Sequence, residues 1–452
     1  MFPNPQDALP LPPSPNLDQY RKRAKDLLKA SQSPDPAAIR TWAINWIDSL
    51  VRLSDLTLTP QLPVRVGHWV DQLDQFARKE LPQTRWGRTH SSVPPSEARR
   101  SATATLAAAQ FIIARAQGFE SWPKLAKHVE ATARANSPVN HFEQAADAIV
   151  TGDVVTLERL LRENPDLIRD RSTRRHQATL LHYVSANGIE GYRQKTPKTI
   201  VEVGELILRA GADVNATAEV YGGSSTLALV ATSLHPERAG VQDALLQLLL
   251  DHGAALDFSA GLIVNACLAN GRLHAAEFLA SRGARVDLEA AAGLGRVDLV
   301  QSFFDDSGAA PATTTNAQKE RALLRACEYG RTSLVDFLLQ HGVPLHTQAD
   351  TGQSALHWSV IGGHLETIKL LLERGASLEA KNAYSGTALG QALWSAVHSD
   401  RGWEYLPVID TLLKAGARIE AGTLKWLAEQ TDALSSVREP IAELLRQHGA
   451  SS

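Results

Sequence analysis

The stretch "TGQSALHWSVIGGHLETIKLLLERGASLEAKNAY", residues 351–384, contains two short helical patterns that are punctuated by glycines. Ser354 stands where it can cap the first helix by accepting a hydrogen bond from a free backbone N–H. Gly363 ends that helix, and apolar residues between 365 and 372 form the stripe of the second. Gly375 then takes a left-handed turn, which a Cβ would penalise. One such unit cannot bury its own apolar face, so the sequence predicts a stack of similar units.

A Gly-Ala dipeptide, or a close variant, follows a leucine-rich run at eight places, with a typical spacing of about 33 residues. These places are Gly211, Gly253, Gly283, Gly308, Gly342, Gly375, Gly416 and Gly449. A repeat of this length with two helices per unit predicts an all-α array rather than one compact domain.

Two segments, "TLLHYVSANG" at 179–188 and "SALHWSVIGG" at 354–363, resemble the Thr-Pro-Leu-His box of ankyrin repeats, with the proline replaced. The resemblance covers residues 142–452 and implies an ankyrin-repeat solenoid of about eight or nine repeats with degenerate terminal caps. It also implies structural roles for the box and turn residues, with the two histidines bracing the hairpin turns. These residues are Thr179, His182, Gly188, Gly211, Gly253, Gly283, Ser354, His357, Gly363, Gly375 and Gly416.

The region before the array is predicted to be a small helical domain. Proline-rich residues 1–15 predict a disordered tail, residues 16–135 a helical domain, and residues 136–141 a linker. The predicted helices cover 16–31, 36–53, 64–80 and 96–117, with a short one from Ser121. With this region included, the whole chain resembles a group of uncharacterised bacterial ankyrin-repeat proteins whose helical N-terminal region ends near "GFESWPKL".

Composition narrows the function classes. The 452 residues are 44% hydrophobic and 21% charged, as in a folded globular protein, and no apolar run is long enough to span a membrane. Two cysteines cannot build a disulfide framework, which favours the cytoplasm. No Cys/His cluster suggests a metal, and we expect no cofactor.

Charge leaves a second function class open. Residues 1–140 carry 18 lysines and arginines against 12 acidic residues, whereas the rest of the chain carries 28 against 37. A basic region can bind nucleic acid. Here the basic residues are mixed with acidic ones, which favours a solvated helix face, so nucleic-acid binding is the alternative.

The sequence contains none of the common catalytic motifs that we searched for. The sequence lacks a GxSxG elbow, an HExxH pair and the lysine motif of nucleotide-binding loops. An enzyme in residues 16–135 remains the third alternative, because a site that is assembled in space need not leave a motif. We therefore predict a non-catalytic, monomeric adaptor that binds another protein through the concave groove of first helices and hairpin tips and through loops inserted between the two helices of a repeat.

Three repeats carry insertions between their two helices. Thr179 to Gly211 is 11 residues longer than Ser354 to Gly375, and two later repeats, at "HPERAG" and "SDRGWEYLP", are six and eight residues longer. Insertions in such arrays often form the binding face. An aromatic ring beside arginines suits an acidic or phosphate-bearing partner segment, unless these loops only pack on each other and on the N-terminal region. The predicted patch consists of Tyr192, Arg193, Lys195, His235, Arg238 and Trp403.

Overall fold

A computed structural model describes residues 4–12, 14–53, 62–81, 104–256, 262–304, 314–399, 402–430 and 435–450. Contacts divide the chain into two compact units, Met1–Ala266 and Cys267–Ser452. The first unit therefore holds the N-terminal helices together with the first repeats.

Five helices precede the repeats and share one apolar core. Asn16 caps the first of them by accepting a hydrogen bond from the Asp18 backbone N–H at 2.8 Å. Trp46 is fully buried at the centre of this core, and its ring lies 5.4 Å from that of Trp42. Residues 96–103 of the predicted fourth helix lie outside the described residues. The helices are α1 (Leu17–Ser31), α2 (Ala38–Leu53), α3 (Leu62–Glu80), α4 (Leu106–Ala116) and α5 (Trp122–Thr132).

The predicted disorder of residues 1–15 is wrong for residues 4–12. Ala8 and Leu9 are buried, and the Leu9 backbone N–H donates to the Ala116 carbonyl at 2.8 Å. A short 3-10 helix covers Pro5–Asp7. Burial of these two apolar side chains stabilises an ordered segment, whereas the proline content alone predicts disorder.

The repeats of the first unit begin earlier than predicted. Ser137 caps α6 by accepting from the Asn140 backbone N–H at 3.1 Å, so residues 138–141 of the predicted linker are helical. The helices are α6 (Pro138–Thr151), α7 (Val154–Glu163), α8 (Ile200–Arg209), α9 (Thr226–Thr232), α10 (Leu234–Arg238) and α11 (Gln242–Asp251). Strands β1 (Thr217–Ala218) and β2 (Ser224–Ser225) pair antiparallel, with Thr217 opposite Ser225 and Ala218 opposite Ser224.

Repeat two departs from a regular helix pair. Its first helix is the 3-10 segment Leu180–Ser185, which ends at Ala186 with φ +47°, and its insertion contains a second 3-10 segment, Gly191–Arg193. Pro165–Arg169 and Gly402–Tyr405 are the remaining 3-10 segments of the described residues.

The later repeats are helix pairs, and those from Leu288 onward share one apolar core. The helices from this part of the chain are α12 (Ile263–Ala269), α13 (Leu273–Ser281), α14 (Leu288–Leu294), α15 (Val297–Ser302), α16 (Asn316–Glu328), α17 (Thr332–Gln340), α18 (Ala355–Ile361), α19 (Leu365–Glu373), α20 (Ala388–His398), α21 (Leu406–Lys414), α22 (Thr423–Glu429) and α23 (Ser435–Gln447). Buried leucines, isoleucines and alanines from Leu288 to Leu445 pack together in one cluster.

The box residues of the clearest repeat tie each turn to the next. His357 is fully buried, and its Nδ1 lies 2.8 Å from the Ser354 hydroxyl and 3.3 Å from the Ser354 backbone nitrogen. Its Nε2 lies 3.0 Å from the carbonyl oxygen of Gly386, at the start of the following repeat. His182 makes the same contacts with Thr179, at 2.7 and 3.2 Å. The histidine therefore joins a helix cap to a neighbouring turn.

Helices dominate the described residues, and β1–β2 with one isolated bridge is their only extended pairing. The predicted all-α class is confirmed. Within the described residues, no helix is both long and apolar enough to cross a membrane.

We expect Gly375→Val to lower the free energy of unfolding by more than about 1 kcal/mol, because φ is +86° and a β-branched residue is strained there. No atom lies within 4 Å of the Cβ position, so the cost is conformational rather than a clash. Urea unfolding checks this. Gly375→Asn is the matched control, because asparagine tolerates the left-handed region and should cost less. Equal losses for the two variants would contradict the strain argument.

Candidate functional site

Arg193, the centre of the predicted patch, points into the protein. Its side chain is only 7% exposed, and its guanidinium pairs at 2.8 Å with each of three carboxylates, Glu143, Asp147 and Glu190. Its guanidinium carbon also lies 5.8 Å and 5.6 Å from the ring centroids of Tyr183 and Tyr192. A buried arginine with this many partners has no free donor face for an incoming segment.

Glu190 is the hub of this cluster. It is fully buried, its Oε1 lies 3.0 Å from Nε of Arg174 and 2.9 Å from Nε2 of His176, and both tyrosine hydroxyls donate to it. Burial alone would raise the pKa of Glu190, but Arg174 and Arg193 hold it well below its usual value. The carboxylate therefore stays charged inside the first unit. We call Glu143, Arg174, His176, Glu190 and Arg193 the ion cluster.

The other patch residues do not form one surface with Arg193. Lys195, His235 and Arg238 are exposed, while Tyr192 is half-buried with its hydroxyl on Glu190. Partial burial of the ring, together with nearby Arg65 and Arg238, lowers the pKa of His235, so positive charge does gather around that ring. The Trp403 side chain lies outside the described residues. The expected exposed patch around Arg193 is thus corrected to a buried ion cluster with separate exposed basic residues.

A different surface, in the second unit, exposes large aromatic side chains. A cavity of about 740 Å³ is lined by Tyr384, Trp394 and Trp426, with Glu420 as its one charged lining residue among those described. Tyr384 is 79% exposed and Trp394 is 52% exposed. We call this the aromatic pocket. It lies between first helices (α20, α22) and the fingers, the loops that lead from one repeat into the first helix of the next.

The finger that carries Tyr384 is held rigidly. Oδ1 of Asn382 accepts from the backbone N–H groups of Tyr384 and Gly386, at 3.0 and 2.9 Å, which closes a tight turn around the ring. The Ala383 backbone N–H donates to the Thr351 carbonyl of the preceding finger at 2.9 Å. The exposed ring therefore projects from a fixed backbone, which lowers the entropy that a bound partner must remove.

Trp394 is turned outward by the period of its helix. In α20, Leu389, Ala392, Leu393 and Ala396 face the core, and position 394 falls off this stripe. His398 stacks on one face of the indole, with ring centroids 4.4 Å apart and planes 18° apart. One face of Trp394 is thus covered within the chain, while its exposed half borders the pocket.

A second cavity, of about 370 Å³, lies on first helices α14 and α16 and on the finger at residues 347–350. Gln353 at the end of that same finger lines the aromatic pocket, so the two cavities share this finger. Arg325 pairs at 2.8 Å with Glu289 and also pairs with Glu328, and Arg321 pairs at 3.1 Å with Glu289. In the described part of the chain, the lining residues Glu320 and Asp350 form no ion pair. We call this the acidic pocket.

Evidence for catalysis or metal binding does not emerge from the described residues. They contain no group of three or more histidine, cysteine or acidic side chains arranged to hold a metal ion. Cys267 and Cys327 are buried thiols outside any disulfide, and burial raises the pKa of each to about 12. Such thiols are protonated at neutral pH and are poor nucleophiles.

Comparison with known proteins shows that parts of this chain are similar to ankyrin repeats. The family described as ankyrin repeats (3 copies) matches residues 288–382. The chain is 33% identical over 91 residues to the human Notch-regulated ankyrin repeat-containing protein, a match that covers 19% of this chain and 73% of that protein. It is 37% identical over 115 residues to a Caenorhabditis elegans transient receptor potential cation channel subfamily A member 1 homolog, which covers 25% of this chain and only 9% of the channel.

Solved structures resemble the chain more distantly. The human ASB11 ankyrin repeat domain is 19% identical, with a TM-score of 0.32, over 61% of this chain and 99% of that domain. The Bcl-3 ankyrin repeat domain is 22% identical, with a TM-score of 0.28, over 58% of this chain and 97% of that domain. These relatives do not include bacterial proteins, and the resemblance of the whole chain to a bacterial group stays a prediction.

Proposed function

The chain belongs to the ankyrin-repeat family, and from this premise we propose that it is a non-catalytic adaptor that binds a partner protein at the aromatic pocket. The observation that carries the proposal is the pair of exposed rings, Tyr384 and Trp394, on a rigid finger and helix beside a cavity of about 740 Å³. Aromatic side chains of this kind dominate the energetics of protein interfaces.

The location of the rings supports the same conclusion. Nearly all other aromatic rings of the described residues are buried or half-buried, as in the Trp42–Trp46 pair. Exposed apolar side chains of this size, grouped around one cavity, are typical of interaction sites. A reducing compartment such as the cytoplasm suits the two buried thiols, and we expect the adaptor without its partner to be a monomer.

We expect the double substitution Tyr384→Ser with Trp394→Ala to weaken partner capture at least about tenfold, because interface aromatics are common hot spots. Tagged full-length chain captures partners from a lysate, and mass spectrometry quantifies them against the variant. Val155→Ser is the matched control, since Val155 is 78% exposed on α7 and is also apolar. Equal capture by the double variant and the wild type would overturn the proposal.

Nucleic-acid binding by residues 1–140 is the alternative, with less support. Several of its basic side chains are already engaged, as in the Arg40–Asp71 pair at 2.7 Å and the Arg78–Asp74 pair at 2.9 Å. A gel-shift titration of the full chain with random DNA and RNA at two salt concentrations tests it, since phosphate contacts make affinity fall steeply with salt. An enzyme within residues 16–135 would show turnover in a substrate screen.

A further inference from the structure

The charged residues that line the two cavities of the second unit indicate the charge of a partner that would bind there. The two cavities together have seven charged lining residues, of which five are acidic. The two basic ones, Arg321 and Arg325, are paired with Glu289, and Arg325 also with Glu328. Among the residues that the structure describes, Glu320 and Asp350 form no ion pair, and Glu420 has one weak surface contact.

That surface contact does not neutralise the aromatic pocket. Lys381 lies 3.3 Å from Glu420, but both side chains are more than half exposed. Exposed pairs of this kind contribute little, so Lys381 can be displaced at small cost by a better-oriented cation. Glu420 therefore remains available as an acceptor at the rim of the pocket.

The aromatic rings favour the same sign of charge. The face of an indole is electrostatically negative and attracts a guanidinium or ammonium group, and tryptophan is the strongest such partner. Trp394 has one face occupied by His398, which leaves the exposed side of its ring for a flat group. A guanidinium can stack there and donate two parallel hydrogen bonds to a carboxylate such as Glu420.

We propose that the partner presents a basic extended segment to this surface, with an arginine in the aromatic pocket beside Trp394 and Glu420 and a second cationic side chain in the acidic pocket beside Glu320 and Asp350. This rests on the proposed function and names the chemistry of the partner at that same site. It replaces the acidic or phosphate-bearing segment expected from the sequence, because the arginine on which that expectation depended is buried in the ion cluster.

Selection of random 16-residue peptides displayed on phage, with the full-length chain as bait, tests the proposal. We expect the enriched peptides to carry net positive charge with an excess of arginine. A representative synthetic peptide should bind about tenfold more weakly to Trp394→Ala, and several-fold more weakly to Glu420→Gln. Its affinity should fall as salt is raised. Glu366→Gln is the matched control, because Glu366 is 74% exposed on the second helix α19.

The other possible results distinguish the basic partner segment from the adaptor function on which it rests. Enriched peptides that are acidic or neutral but still depend on Trp394 would overturn the basic segment and leave the adaptor function standing. Basic peptides that bind Trp394→Ala as tightly as the wild type would overturn the placement in the aromatic pocket. Self-association of the chain that is lost in Trp394→Ala would show that a second copy occupies the surface, and would also overturn the proposal.

Discussion

Arg193→Ala should lower the free energy of unfolding of the first unit by about 3–5 kcal/mol, the usual cost of removing one partner from a buried charge cluster. The substitution leaves Glu143 and Glu190 with one cation fewer in an interior where Glu190 is fully buried. Urea unfolding, followed by pulsed hydrogen exchange in peptides from residues 104–256, measures the loss in this unit.

The chain offers a close control two residues away. Lys195 is exposed, and Lys195→Ala should change stability by no more than about 0.5 kcal/mol. Arg193→Lys keeps the charge but not the planar fork, and should fall between the alanine variant and the wild type. A loss below about 1 kcal/mol for Arg193→Ala would mean that the cluster does not stabilise the fold.

The repeats could be predicted from sequence because their signals are local. A cap at Ser354 and a left-handed glycine at Gly375 each depend on a few neighbouring residues. Seven of the eight predicted turn glycines have positive φ, and the eighth, Gly308, lies outside the described residues. The same local signals placed the first two N-terminal helices to within two residues at each end. Periodicity predicts a helix reliably where the residues that determine the helix and its ends all lie within one short window of sequence.

The position of Arg193 could not be predicted because its partners are distant in sequence. Asp147 lies 46 residues upstream, on a helix whose rotation is set by tertiary packing. A signal did exist: Glu143 and Asp147 are four residues apart on α6, so both carboxylates share a helix face and favour a cation beside them. Without knowing which segment crosses that face, the sequence cannot choose among several arginines.

The exposure of the rings in the aromatic pocket could not be predicted from the sequence either. The helical period of α20 places Trp394 off the core stripe, and this could be seen in the sequence. Whether a neighbouring repeat covers such a ring depends on the length and direction of the adjoining fingers. The exposure of such a side chain is therefore set by tertiary structure. The length of the insertions, taken alone, predicted a binding surface at Arg193, which lies in the buried ion cluster.

Mild acid should destabilise the first unit through two buried histidines. Burial lowers the pKa of His128 to about 4, although Glu143 opposes the shift, and burial likewise lowers that of His182 to about 4. Both are neutral in the folded chain at pH 5, whereas the unfolded chain, with pKa values near 6.5, binds a proton at each. Because the unfolded state then holds more protons, stability falls as pH drops below about 6.5.

The expected loss between pH 7.5 and 5 is about 2 kcal/mol for each histidine, from 1.5 pH units at about 1.4 kcal/mol per unit. Glu190, whose pKa is held well below its usual value, keeps its charge in this window, so its stabilisation is lost only at lower pH. Urea unfolding of the first unit at four pH values gives the slope. His128→Gln and His182→Asn should each make the loss between these pH values smaller by about 2 kcal/mol, whatever their cost at pH 7.5.

Comparing slopes rather than stabilities isolates the two imidazoles. Other groups titrate in both the wild type and the variants, including Asp147, whose pKa burial raises, and their contributions cancel in the difference. Arg174 and Arg193 also disfavour a proton on His128, so Arg193→Ala should make its loss smaller. A slope that is unchanged in both histidine variants would mean that these rings already bind protons in the folded chain, and that the first unit opens to water near them.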